Sequence, residues 1–142
     1  MNYILEGEIH IRPRYNEVDQ MGYVYHDNYV TYCHQARTEL LRKLGIHDNK
    51  LEKQNIMLPV ISMDLKYHKP AGYDELLTIR TRITDIPTTR FNFEFEIRNE
   101  KSELVCSAKS TVVFVDSQTR KPMRAPKIVT EKIKLFTETL SV

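Results

Sequence analysis

Residues 90–99 set Phe91, Phe93, Phe95 and Ile97 on one side of an extended chain and Asn92, Glu94, Glu96 and Arg98 on the other. A strand with so clean a two-residue period has one face to cover and one to leave in water. The flanking segments extend the same rhythm. Residues 57–69 read as a strand closed by Pro70-Ala71-Gly72, and 76–86 alternate Leu77, Ile79 and Ile83 with Thr78, Arg80, Arg82 and Thr84. Residues 104–116 read as the last strand, entered through a hairpin turn at Asn99–Glu103 and left through a turn at Asp116–Thr119. Four consecutive one-sided strands need something apolar to lie against.

The only long helical pattern upstream spans 27–44. Asp27 or Asn28 can cap its start and Gly45 can end it. Tyr29, Tyr32, Cys33, Ala36, Leu40, Leu41 and Leu44 form a stripe wide enough for a helix covered over much of its circumference, while Gln35, Thr38, Arg42 and Lys43 fall elsewhere. Residues 3–12 supply a first strand, 46–54 a short helical or irregular piece, and Pro126 starts a terminal helix with Ile128, Ile133, Leu135 and Phe136 as its apolar contacts. The order β-α-β-β-β-β-α predicts an α+β fold, with an antiparallel sheet of about five strands packed around one long central helix. With 142 residues and no repeat, linker or low-complexity tract, the chain 1–142 is expected to be a single domain.

Composition excludes more than it selects. A net charge of +2 is too mild to suggest nucleic acid, though it suits a small anionic ligand. No apolar run reaches the length of a membrane span, and the N-terminal residues give no sign of export. Cys33 and Cys106 are far apart and outside any CxxC, which predicts reduced, buried thiols and a cytoplasmic protein. The glycines at 7, 22, 45 and 72 fit no dinucleotide fingerprint, P-loop or nucleophile elbow. There is no HExxH; His26, Asp27 and His34 match no common metal spacing, so no metal is expected.

What remains is Arg14–Arg42, where an acidic, glycine-marked loop runs straight into the long helix and carries five of the eight tyrosines: Tyr15, Tyr23, Tyr25, Tyr29 and Tyr32. A carboxylate beside a helix N-terminus pairs a base or nucleophile with backbone N–H groups able to polarise a carbonyl oxygen.

The spacing in this segment is Arg14-Tyr15, Glu17-x-Asp19-x-x-Gly22-x-Val24-Tyr25-His26-x-Asn28-Tyr29, continued by Ala36-Arg37-Thr38-Glu39 and Leu41-Arg42. It resembles the hotdog-fold acyl-CoA thioesterases of the 4-hydroxybenzoyl-CoA thioesterase family, and looks closest to the bacterial branch associated with the Tol-Pal envelope system. The resemblance implies hydrolysis of acyl-CoA to a carboxylic acid and coenzyme A. Asp19 would be the catalytic carboxylate, with Tyr15 and His26 lining the site and the His26 backbone N–H polarising the thioester. Gly22, Val24, Tyr25, Asn28 and Tyr29 would shape the loop and acyl pocket. Lys69, Arg90, Lys121 and Arg124, at strand ends or turns, are candidates for the phosphates of coenzyme A. No cofactor is implied, coenzyme A being part of the substrate. A homodimer or homotetramer is, with sites at the subunit interface. The alternatives are a non-hydrolytic acyl-CoA-binding hotdog module and an acyl thioester dehydratase or hydratase. Glu39 is a rival acid, expected instead to pair with an arginine.

Overall fold

The computed structural model describes residues 3–140, with side chains to residue 137. Strand β1 (Leu5–Ile11) leads through a long loop into helix α1 (Asn28–Lys43), followed by the short helix α2 (Asp48–Lys53). Strands β2 (Ile56–Met57), β3 (Val60–Tyr67), β4 (Leu77–Ile83), β5 (Arg90–Arg98), β6 (Leu104–Val113) and β7 (Val115–Asp116) come next, and helix α3 (Lys127–Leu140) ends the chain. The five long strands form one antiparallel sheet in the order β1-β4-β5-β6-β3. This is the α+β architecture that the alternation predicts, and it agrees with the hotdog fold that the resemblance implies.

The sheet buries the side that β5 advertises. Phe91, Phe93, Phe95 and Ile97 are each no more than 3% exposed, and Leu77, Ile79, Cys106, Ala108 and Val112 join them. Helix α1 packs against β1 and β4 and buries the whole anticipated stripe. Its end is a Schellman motif: Gly45 N–H donates to the Arg42 carbonyl at 2.9 Å and Ile46 N–H to the Leu41 carbonyl at 2.8 Å. Gly45 takes φ +79° there, which a side chain would oppose. Cys33 and Cys106 are buried and unbonded.

Three expectations are corrected. The segment 57–69 is not one strand, nor is 104–116. Pro59 interrupts the first, the register shifts between Val60 and Ser62, and the chain steps out of the main sheet at Phe114, so that β2 and β7 pair separately. Neither Asp27 nor Asn28 caps α1 through its side chain. Asp27 occupies the cap position in αR geometry without a side-chain bond, and the Asn28 amide turns backwards into the loop. In α3, Val129 and Ile133 make the buried i, i+4 face; Ile128 and Leu135 stay exposed because they project from another side of the helix, and Phe136, two turns beyond Val129 on the same face, is exposed as well.

Candidate active site

The loop between β1 and α1 is built around Glu17. A 3-10 turn at Tyr15–Glu17 brings this carboxylate into the interior, where it is 8% exposed. It accepts the Arg14 backbone N–H at 2.8 Å, the Arg14 guanidinium at 3.2 Å and the Tyr32 hydroxyl at 2.9 Å. Burial alone would raise its pKa. The hydrogen bonds from the Arg14 backbone, Tyr32 and the Arg14 side chain outweigh that and hold the carboxyl below its ordinary range. The Glu17 carbonyl also accepts the Tyr25 N–H at 2.8 Å and the Asn28 side-chain amide at 3.0 Å. One residue therefore joins the loop to the first two turns of α1.

Asp19 sits two residues further on, in a closed turn. Its N–H donates to the Tyr23 carbonyl at 2.8 Å, and its own carbonyl accepts the Gly22 N–H at 3.0 Å. Gly22 adopts φ +81° to close the turn, a left-handed geometry that only glycine takes cheaply. One carboxylate oxygen of Asp19, Oδ1, accepts N–H bonds from Met21 at 2.8 Å and Tyr23 at 3.1 Å. The side chain is exposed, and Oδ2 has no hydrogen-bond partner among the described residues. The turn thus fixes the group and leaves one oxygen available. The Val24 N–H donates to the Ala71 carbonyl at 2.8 Å, and Tyr23 bridges to Gly72, which docks the turn on the β3–β4 connection.

Two cavities meet at Asp19. One, of about 390 Å³, is walled by Tyr23, Val24, Tyr25, His26 and Tyr29 on one side and by Tyr67, His68, Lys69 and Pro70 on the other. The second, of about 770 Å³, holds Tyr15, Gly22 and Tyr73. His26 is exposed, with its ring beside Tyr25 at 4.5 Å between centroids and Tyr67 at 6.4 Å. Its carbonyl accepts the Tyr67 hydroxyl at 3.3 Å, and among the described residues its backbone N–H has no acceptor. The backward-turned Asn28 leaves the helix start without a side-chain acceptor; the Asn28 N–H donates to the Tyr25 carbonyl at 3.0 Å and the Val30 N–H to the Asp27 carbonyl at 3.2 Å, which leaves the His26 N–H as a donor without an acceptor in this stretch among the described residues.

The anticipated residues divide accordingly. Asp19, Val24, Tyr25, His26, Tyr29 and Lys69 share one cavity, Tyr15 and Gly22 lie with Asp19 in the other, and Asn28 braces the loop from behind. Lys69 is held by an ion pair to Glu103. Arg90, Lys121 and Arg124 line neither cavity of this chain. Glu39 pairs with Arg42, as expected for a structural role. The sequence reading missed Tyr67, His68 and Tyr73, which arrive from the far end of β3 and the turn beyond it. Their one local signal was the cluster Tyr67-His68-Lys69-Pro70 next to a predicted turn. No three His, Cys, Asp or Glu side chains converge in metal-binding fashion among the described residues.

The sheet-wrapped helix is the architecture of hotdog domains, and the likenesses to known proteins agree. Residues 13–133 match the family described as the thioesterase-like superfamily, and the chain belongs to it. The Escherichia coli protein named acyl-CoA thioester hydrolase YbgC is 34% identical over 124 residues, covering 87% of this chain and 92% of the relative. Among solved structures, the DHNA-CoA thioesterase from Staphylococcus aureus superposes with a TM-score of 0.85 at 29% identity, over 96% of this chain and 91% of that one. The Synechocystis protein Slr0204, a 1,4-dihydroxy-2-naphthoyl-CoA thioesterase, shares the fold with a TM-score of 0.85 at 21% identity, over 91% and 96% of the two chains.

Proposed function

We propose that Asp19 and the His26 backbone N–H are the working groups of this acyl-CoA thioesterase. The observation that carries the reading is the Asp19 turn: Met21 and Tyr23 hold one oxygen and leave the other open in a cavity shared with His26. Attack on a thioester builds negative charge on the carbonyl oxygen. An N–H donor aimed at that oxygen is worth roughly 3–4 kcal/mol in a preorganised site. The free oxygen of Asp19 either takes the proton of an attacking water or bonds to the carbonyl carbon, giving a mixed anhydride that water then opens. In both routes coenzyme A leaves as the thiol and the acyl group as its acid. Side chain and backbone suffice for these steps, so the reading includes no cofactor.

The aromatic wall of Tyr25, Tyr29 and Tyr67 suits an apolar or aryl acyl group. Lys69 is the best-placed cation for a phosphate of coenzyme A, since it borders the Asp19 cavity and its present partner Glu103 is at the surface. The chain works as a homodimer or a pair of dimers, with sites completed across the interface. Support comes from β3, an edge strand that exposes Val60, Ile61 and Tyr67, the last of which also borders the Asp19 cavity. A cytoplasmic setting suits two unbonded cysteines.

Thiol release measured across short, long, branched and aromatic acyl-CoAs tests the reaction and its acyl preference together. Release from at least one class is expected. Hydration of an enoyl thioester without thiol release would point to the dehydratase alternative, and tight binding without turnover to a binding module.

A further inference from the structure

Two arginines of this chain are equally buried, Arg37 and Arg82, each 8% exposed. They are satisfied differently. Arg82, on β4, has a carboxylate on either side, donating to Glu6 at 2.7 Å and to Glu96 at 2.9 Å. Arg37, on the buried face of α1, has no carboxylate within ion-pair distance among the described residues. Its one side-chain hydrogen bond among the described residues runs from Nη2 to His34 Nδ1 at 3.0 Å, and its guanidinium faces the Phe93 ring at 5.9 Å from the centroid. Arginine keeps its charge at any working pH and offers five N–H donors. A buried guanidinium so poorly supplied with acceptors is poised for an anion.

The surroundings say which kind. Arg37 and His34 line a cavity of about 520 Å³ between α1, α2 and β2, within the size range of small-molecule sites. Leu51, Ile56, Met57 and Leu58 give it an apolar lining. Asp48 and Glu52 stand at its α2 side, and Asp48 acts on Arg37 through the field without touching it. The cavity shares no lining residue with either Asp19 cavity, and Arg37 lies ~13 Å along the helix from Asn28.

We infer that this cavity binds a monocarboxylate with a short apolar body, its carboxylate on the Arg37 fork and its body against Leu51, Ile56 and Leu58. The planar fork of arginine matches a carboxylate in two parallel hydrogen bonds. The two acidic side chains of α2 disfavour a dianion such as a phosphate monoester. His34 accepts from Arg37 through Nδ1, which places its own proton on Nε2 and makes its ring a reporter of any anion arriving at Arg37. This site goes beyond the thioesterase reading and does not depend on it.

The test is a titration of the intact protein with sodium benzoate, sodium octanoate and inorganic phosphate, following the imidazole NMR signals of His34 and His26. The expected result is a saturable shift of His34 with both carboxylates and none with phosphate. Arg37→Met weakens the response by about tenfold or more, while Asp48→Asn, an exposed change, tightens it about threefold. A carboxylic acid entering the Asp19 cavity moves His26 instead, so the two sites read out separately. Adding the free acid of the most rapidly hydrolysed acyl-CoA distinguishes a product site, where it binds tightest, from one for an unrelated acid, where it matches benzoate or octanoate. A His34 signal unmoved by both carboxylates, in the wild type and in Asp48→Asn alike, would overturn the inference. So would an equal response to phosphate.

Discussion

The Tyr32 hydroxyl, on the second turn of α1, donates to the buried Glu17 carboxylate at 2.9 Å across fifteen residues of chain. This bond ties the loop that presents Asp19 to the helix that the sheet encloses. Tyr32→Phe removes a donor and leaves the Glu17 oxygen buried with one partner fewer. The expected loss of stability is about 1–3 kcal/mol, read as a lower urea midpoint with an unchanged slope. Thiol release should slow as well, because the loop loses its anchor.

The same carboxylate gives the protein an acid sensitivity of known sign. Its folded pKa lies below the ordinary value, so the folded state binds this proton less readily than the unfolded chain. The stabilisation is complete above the unfolded carboxylate pKa and is lost as pH falls through that range toward the depressed folded value. Urea midpoints should therefore drop below the ordinary carboxylate range, and the drop should be smaller in Glu17→Gln than in the wild type. An identical acid profile in that variant would remove Glu17 from the explanation.

Gly22 is required for its backbone and not for its space. A Cβ there would meet nothing within 4 Å, yet the residue sits at φ +81°. Gly22→Ala should cost roughly 1–2 kcal/mol of stability, the usual penalty for a side chain in the left-handed region. Relief of that strain would open the Asp19 turn, so kcat should fall further than the lost stability accounts for. Unfolding and thiol-release measurements on the one variant check both.

Lys69 must exchange Glu103 for a phosphate if it helps hold coenzyme A. An exposed ion pair is a weak competitor, so Lys69→Met should raise KM by no more than about fivefold with kcat unchanged. Glu103→Gln should leave KM equal or lower. A fall in kcat in Lys69→Met would instead tie the residue to the chemistry.

The sheet and the central helix were legible because their periodicities are long and their burial one-sided. Phe91 through Ile97 and Tyr29 through Leu44 lie where their spacing puts them. Pro59 does mark its break, since a proline brings no N–H to a ladder; the break at Phe114 was not legible, because Val112-Val113-Phe114-Val115 is an unbroken apolar run. Asp19, Gly22 and His26 came from a single continuous segment, and that is why they could be read together. Tyr67 and Tyr73 reach the same cavities only through the sheet, from about forty or more residues downstream. Arg37 entered only as part of the Ala36-Arg37-Thr38-Glu39 motif; its burial depends on Phe93 and on α2, which no local pattern connects to it.

The central claim is that the free oxygen of Asp19 does the chemistry while its partner oxygen merely holds the turn. Asp19→Asn separates the two, because the amide oxygen can still accept the Met21 and Tyr23 N–H groups. The decisive measurement is kcat for thiol release by this variant beside its affinity for a non-hydrolysable thioether analogue of the best substrate. The account predicts a fall in kcat of roughly 10²–10⁴ or more, with analogue binding and the unfolding midpoint close to wild type. Turnover at the wild-type rate in a variant that folds and binds normally would contradict it.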